Sequence, residues 1–389
     1  MVSPFYHLKV RPRAAGPVLA FIAAIACTLP EGCRTGEVIL PVEPKADGRT
    51  TADSTVLLLY PSGSGDGSRF IGVLDPPASA GSTLAEADAD SGRLTVIYSD
   101  SLEKRMPSVS PDGRRVAYLA APAGWMLSSA HVWVVDRDGS DARDLTPHGG
   151  SWSFPVWSPD GRSVVFSGGV GDSGEIHKQI VIADAATGKS RLLTRGRFNS
   201  YHPAFLADNR RIVFQSDRIS TPYGGKVFLM SITGGRAVPV DTSGSASLDP
   251  LPSPVRPEVL FYWGAGMEDA RGDYMIDADS VALPADPSGF RLIHRENVGS
   301  MASWSPDGSS LHFLFANGSS GADLMVMGRD GSGIRALTAG YDIDPRSHAW
   351  SRDSRRILFA AREGGSGSYG NYICDVATKS VRKLKFAFK

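Results

Sequence analysis

The stretch Trp157-Ser158-Pro159-Asp160-Gly161, followed after one residue by Ser163-Val164-Val165-Phe166, decides the architecture. Proline presets φ at the second position of a turn, the Asp carboxylate takes backbone N–H groups two residues on, and Gly accepts positive φ. A β-branched, aromatic-ended run then reads as a strand. The phrase recurs. Aligning on the residue seven before the aromatic gives Pro111, Pro159, Ala207, Pro254, Pro306 and Arg352, leading to Tyr118, Phe166, Phe214, Phe261, Phe313 and Phe359. The spacings are 48, 48, 47, 52 and 46 residues.

A period near 48 with four short apolar runs per unit is the pattern of a β-propeller blade, not of a helical solenoid. The 43 Gly and 26 Pro residues, well above the usual ~12% of a chain, supply the turns between short strands. In the best-formed unit the strands fall at 154–157, 163–167, 179–183 and 190–194. Trp157, Trp304, Trp350 and Phe205 occupy one equivalent position, where a large aromatic would wedge between neighbouring blades. Upstream, 56–60, 69–74 and 93–98 read as the last three strands of an earlier blade. Its innermost strand would come from 38–42 or from a segment without a clear signal. The expected fold is an all-β propeller of seven blades with four antiparallel strands each. Six blades plus an N-terminal extension is the alternative.

The N-terminus reads as an export signal. Lys9, Arg11 and Arg13 precede a short apolar run at 18–26, far below the ~20 residues that span a bilayer. The run ends Ala24-Ile25-Ala26-Cys27, which resembles a bacterial lipoprotein signal whose Cys is lipidated. Ala24-x-Ala26 also fits an ordinary signal-peptidase site that would leave Cys27 bare. The expected division is therefore a signal peptide at 1–26, a polar tether at 27–53 and a single propeller domain at 54–389. The expected location is periplasmic, with the membrane touched only through a lipid on Cys27.

Charge is balanced, 41 Lys and Arg against 41 Asp and Glu, which removes the general argument for nucleic acid as a partner. The three Cys show no zinc spacing; Cys374 reads as a buried apolar thiol, and a Cys33–Cys374 disulfide has no support in the pattern.

Ser110-Pro111-Asp112-Gly113-Arg114-Arg115-Val116-Ala117-Tyr118 resembles the WD-like repeat of TolB-type periplasmic propeller proteins. Trp157 to Gly161 and Trp304-Ser305-Pro306-Asp307-Gly308 do so too. So do the later halves of the repeat, Val132-Trp133-Val134-Val135-Asp136 leading to Leu145-Thr146, and Met325-Val326-Met327 leading to Leu337-Thr338. The resemblance covers 106–386. It implies a propeller, and a binding role for a partner in the cell envelope. TolB proteins carry an α/β domain before the propeller, where this sequence has a short polar tether. The units at Ala207, Pro254 and Arg352 have lost parts of the turn motif, and the unit after Pro254 carries an insertion at 264–273.

Several stretches invite a chemical reading. Gly169-Val170-Gly171-Asp172-Ser173-Gly174 matches a dinucleotide fingerprint, but a strand rather than a helix is expected after it, so no cofactor follows. Asp136 to Asp141 has the look of a calcium loop, yet it lacks Gly at its sixth and Glu at its twelfth position and reads as a hairpin turn. Ser101-Leu102-Glu103-Lys104 and Arg271-Gly272-Asp273 match short motifs without their context. No Gly-x-Ser-x-Gly nucleophile elbow is present, which argues against a peptidase catalytic domain in this sequence. His202 and His348 stand in first strands, the strands that line a propeller's channel, with Asp249 close in the pattern.

Two functions remain open. The favoured one is a non-enzymatic envelope scaffold recognising another envelope protein or a cell-surface ligand through rim loops at 121–130, 168–176, 216–225 and 264–273. Trp125 and Tyr223 are its candidate anchors. The other is a propeller enzyme, a polysaccharide lyase or hydrolase, with His202, Asp249 and His348 converging at the channel mouth.

Overall fold

The computed structural model describes residues 57–65, 67–74, 81–122, 130–146, 155–170, 176–221, 224–240, 246–265, 272–277, 291–294, 302–316, 321–364 and 367–388. Six sheets are four-stranded and antiparallel, and follow the sequence repeat. Blade 1 runs Glu103–Val109, Arg115–Ala121, His131–Asp136, Arg143–Asp144. Blade 2 runs Val156–Trp157, Ser163–Val170, His177–Asp184, Ser190–Leu192. Blade 3 runs Ser200–Phe205, Arg211–Thr221, Gly224–Ser231, Val238–Pro239. Blade 4 is Ala246–Pro252, Glu258–Ala265, Gly272–Asp277, Arg291–His294. Blade 5 is Ser303–Trp304, Ser310–Ala316, Ala322–Gly328, Arg335–Ala336. Blade 6 is Tyr341–Trp350, Arg356–Glu363, Gly370–Asp375, Val381–Leu384.

The remaining sheet departs from that plan. It holds five strands, Leu58–Ser64, Arg69–Leu74, Thr83–Asp88, Arg93–Ser99 and, from the far end of the chain, Ala387–Phe388. Ala387–Phe388 pairs in parallel with Arg93 and Leu94, and the Ala387 N–H donates to Gly92 O at 3.0 Å. The expectation of seven equivalent four-stranded antiparallel blades is thereby corrected: six blades keep the plan, and a mixed five-stranded sheet closes the ring between blades 6 and 1. The expected strand assignment there is also wrong. The segment read at 56–60 forms the innermost strand, not the second, and the unread strand is Thr83–Asp88. Residues 38–42 lie outside the described residues.

The apolar core sits between sheets. One cluster joins Ile180 and Ile182 of blade 2 to Ile212 and Phe214 of blade 3; another joins Leu260 and Met275 of blade 4 to Leu311 and Phe313 of blade 5. A third joins Phe70 and Ala85 of the closing sheet to Leu358 and Ile373 of blade 6. All six alignment aromatics are buried, and Phe70 is their counterpart in the closing sheet. Each sheet is apolar on both faces, so the ring, not the sheet, is the stable unit.

The wedge residues act as expected and add a polar lock. Trp157 Nε1–H donates to Ser108 O at 2.8 Å, Trp304 Nε1–H to Leu251 O at 3.3 Å and Trp350 Nε1–H to Ser303 O at 3.1 Å. Each bond runs from one blade to the innermost strand of the blade before it. In the turn motif the Ser hydroxyl donates to the Asp carboxylate and accepts the N–H five residues on, as in Ser158–Asp160 at 2.7 Å and Ser163 N–H to Ser158 Oγ at 2.9 Å. Gly161 sits at φ 68, where a side chain would be strained. The hydrogen bond from Ser110 holds the Asp112 carboxyl below the usual range, against a smaller opposing effect of burial.

Candidate functional site

Most of the innermost strands touch the next one around the axis, and together they wall the channel. Four of them carry the same irregularity. Tyr60-Pro61, Met106-Pro107, His202-Pro203 and Asp249-Pro250 each sit in a β-bulge, at register breaks between Leu59 and Ser62, Arg105 and Ser108, Tyr201 and Ala204, and Leu248 and Leu251. Proline removes a ladder donor, which confines it to such bulges, and bars the right-handed α region to the residue before it. That residue takes the left-handed region in all four: φ is 52 at Tyr60, 51 at Met106, 51 at His202 and 53 at Asp249. A non-glycine residue there is strained by roughly 1–2 kcal/mol, and such strain concentrates at functional positions.

In blades 3 and 4 the kinked residues are ionisable and adjacent. His202 Nδ1 lies 3.9 Å from Asp249 Oδ1, with 45% and 26% of the two side chains open to water. The Asp249 N–H donates to Gln215 Oε1 at 3.4 Å, tying the blade 4 kink to blade 3. Desolvation by the surrounding wall lowers the His202 pKa, an effect opposed by the Asp249 charge and reinforced by Lys178. The same desolvation raises the Asp249 pKa against the pull of His202. Tyr201 flanks the His202 ring at 6.0 Å, and Lys178 Nζ lies 5.6 Å from the Tyr201 ring centre.

His348 does not complete this pair. Its Nδ1 lies 2.7 Å from His312 Nε2, and its Nε2 lies 3.0 Å from Pro345 O. A carbonyl only accepts, so His348 Nε2 carries the proton and Nδ1 accepts from His312 Nε2–H. His312 Nδ1 is then bare, buried and without a partner among the described residues. Burial holds both rings neutral: His348 falls to about 4, and His312, also beside His348, lies well below the ordinary histidine value. The expected convergence of His202, Asp249 and His348 is corrected accordingly. Among the described residues no group of three or more His, Cys, Asp or Glu is placed to hold a metal ion.

Trp125, Tyr223 and Cys27 lie outside the described residues. Lys104 of the Ser-x-x-Lys stretch is buried and donates to Ser82 O, Asp100 Oδ1 and Leu102 O, which makes it a structural clamp. Asp273 is buried within a strand, so it offers nothing to an adhesion partner. Asp136 to Asp141 is a hairpin turn, closed by the Gly139 N–H to Asp136 O at 2.8 Å. Strand His177–Asp184 follows the glycine-rich stretch, where a nucleotide fingerprint would need a helix. Cys374 is buried, and burial pushes its thiol up to about 11. The His312 partnership carries no sequence signal, because 36 residues and a blade boundary separate it from His348. The kinks do: the residue–proline pair repeats in the innermost strands at Tyr60, Met106, His202 and Asp249.

Comparison with known proteins agrees with this architecture. The family model described as the TolB beta propeller domain matches residues 61–272. The chain is 26% identical over 158 residues to the uncharacterized peptidase YuxL of Bacillus subtilis (strain 168), covering 32% of this chain and 24% of that protein. Among solved structures it is similar to oligogalacturonate lyase from Vibrio parahaemolyticus, with 12% identity and TM-score 0.62, over 87% of this chain and 97% of that one. It is also similar to prolyl oligopeptidase B from Galerina marginata, with 10% identity and TM-score 0.62, over 85% of this chain and 50% of that one. At these identities the structures share the fold alone, and the chain spans about a quarter of the curated relative. The chain belongs to the TolB β-propeller domain family, whose model covers more than half of it.

Proposed function

We propose that this TolB-family propeller works at the mouth of its channel, as a lyase or hydrolase on a polysaccharide-derived ligand, with His202 as the proton acceptor. The observation that carries the reading is the His202–Asp249 pair, two ionisable side chains held in strained left-handed backbone and open to water. A neutral imidazole accepts a proton, and the Asp249 carboxylate beside Nδ1 stabilises the imidazolium that forms. In elimination the proton comes from the carbon next to a carboxyl, its electron pair becomes the new C=C bond, and the leaving oxygen departs with a proton from water. In hydrolysis His202 takes a proton from the water that bonds to the anomeric carbon, the glycosidic C–O bond breaks, and the leaving oxygen takes a proton from solvent water. The lyase likeness supports the choice of substrate class only through the shared fold.

The test is an assay of acidic and neutral oligosaccharides, following unsaturated products for a lyase and new reducing ends for a hydrolase. Turnover by the wild type that falls about 10²–10⁴-fold in His202→Gln supports the reading. A folded wild type that turns over no member of the panel overturns it.

A rim scaffold in the envelope is the second reading. It is favoured by Ile176 and Ile219, 62% and 42% exposed, on the neighbouring hairpin ends of blades 2 and 3. With it go the proposed signal peptide at 1–26, the tether at 27–53, the propeller domain at 54–389 and lipidation of Cys27 in the periplasm. No described helix is long and apolar enough to cross a membrane. Fatty-acid labelling that disappears in Cys27→Ala supports the anchor; labelling that persists refutes it. Loss of envelope pull-down partners on Trp125→Ala and Tyr223→Ala would favour the scaffold reading.

A further inference from the structure

Blade 3 carries a cation whose setting the fold does not use. Arg218 lies near the end of the strand Arg211–Thr221, on the face away from the Ser-Pro-Asp-Gly turns. Its guanidinium carbon stands 4.3 Å from the ring centre of Phe198, 4.9 Å from Phe228 and 5.4 Å from Phe214. The side chain makes one weak polar contact, Nε–H to Ser216 Oγ at 3.4 Å. Its two terminal nitrogens meet no acceptor among the described residues. The nearest carboxylate in sequence, Asp217, is taken up by the Asn199 N–H at 2.7 Å and Nδ2–H at 2.9 Å. Burial lowers the Arg218 pKa against the pull of Asp217, but a guanidinium stays charged at neutral pH. Cation–π contact with three rings holds the half-buried group in place, and its forked donors suit a planar anion.

The same strip leads to the channel pair. Lys178 donates its backbone N–H to Asn199 Oδ1, and its charge acts on His202. Arg195 and Arg197 are exposed on the connection that leads into Phe198. Ser200 pairs with Ser216 and Tyr201 with Gln215 across the strands. Arg218 therefore stands about four residues along the ladder from His202, roughly 13 Å at strand rise. A single small anion does not bridge that distance; an extended molecule does.

We propose that Arg218, with Lys178, forms an anion subsite that binds a carboxylate of an extended acidic ligand whose reacting unit lies at His202. This rests on the channel-mouth reading and names the charge of its substrate. The carboxylate would take the paired Nη–H donors of Arg218, and no covalent step is involved.

The test uses the full chain with a galacturonic-acid trisaccharide and its fully methyl-esterified, uncharged form. Isothermal titration measures binding of each by wild type, Arg218→Gln, Arg218→Lys and His202→Gln. The expected result is about tenfold or more weaker binding of the acidic sugar to Arg218→Gln, with a flatter salt dependence. The esterified form should bind both proteins equally weakly. Arg218→Lys, which keeps the charge and loses the fork, should fall in between; it decides the matter if the Gln variant fails to fold. Unchanged affinity of the acidic sugar for a folded Arg218 variant overturns the subsite, as does equal binding of the two sugars by wild type. If neither sugar binds wild type, the subsite falls. If Arg218→Gln loses binding while His202→Gln leaves turnover untouched, the subsite stands and the catalytic reading of His202 falls.

Discussion

Among the described residues histidine forms three close pairs, His131–Asp144, His202–Asp249 and His312–His348, and the last two differ in every physical respect that matters. His202–Asp249 spans the innermost strands of blades 3 and 4, lies open to water and sits on backbone bent into the left-handed region. His312–His348 spans blades 5 and 6, is hydrogen-bonded ring to ring at 2.7 Å, packs against Trp350 at 5.5 Å and includes a fully buried ring. The bend itself recurs at Tyr60 and Met106 and so belongs to the repeat; what sets His202 and Asp249 apart is that two adjacent ionisable side chains stand on it, open to water. The His312–His348 pair is neutral and packed on Trp350, buried at His312 and half-buried at His348. The comparison teaches that a channel histidine is marked by its hydration and its charged neighbour, not by its residue type.

The largest expected effect separates the pairs by activity. Asp249→Asn should lower turnover about 10²–10⁴-fold, because the imidazolium formed on His202 loses its counter-charge, while His348→Gln should leave turnover near wild type. Steady-state kinetics on the two variants checks this. Next comes stability: His312→Ala should cost about 2–4 kcal/mol in urea unfolding, as large core truncations do, whereas His202→Gln should cost less than about 0.5 kcal/mol. Equal losses would dissolve the distinction.

Acid sharpens the contrast further. His312 and His348 are held neutral in the fold and charge near pH ~6.5 when unfolded. With their folded pKa values depressed, the unfolded chain binds more protons below that point. Their contribution is complete above pH ~6.5 and is lost as pH falls toward about 4. Urea midpoints should fall across this window, and the slope should shrink in His348→Gln. The acid limb of turnover should instead follow His202 and lie below the ordinary histidine value. The smallest effect concerns the scaffold both pairs depend on. Trp350→Phe keeps the wedge and loses the bond to Ser303 O, a loss of about 1 kcal/mol by denaturant unfolding; Phe205 already fills the equivalent place without that bond.

Much of this fold is written locally. The Ser-Pro-Asp-Gly turns, the buried aromatics from Tyr118 to Phe359 and the tryptophan wedges depend on near neighbours, so their spacing is legible in the chain. The closing sheet is less so. Thr83-Leu84-Ala85-Glu86-Ala87-Asp88 has little β-branched character, and its strand is fixed by pairing with Arg69–Leu74 and Arg93–Ser99. Ala387–Phe388 is too short to carry a period, and only ring closure places it beside Arg93. Of the candidate site, the proximity of His202 and Asp249 follows from their equal places in successive units. The partner of His348 does not, because His312 lies on a second strand, outside the channel pattern. Arg218 carries no motif either: Phe214 shares its strand, but Phe198 and Phe228 come from the preceding connection and the next strand.

The central claim, that the channel pair is retained for function at the expense of stability, is tested most directly by urea unfolding of Asp249→Gly. Glycine accepts φ 53 without strain, so the variant should unfold between about 0.5 kcal/mol below and 1 kcal/mol above wild type. A loss of more than about 2 kcal/mol would show that Asp249 holds the ring together, and would contradict the account.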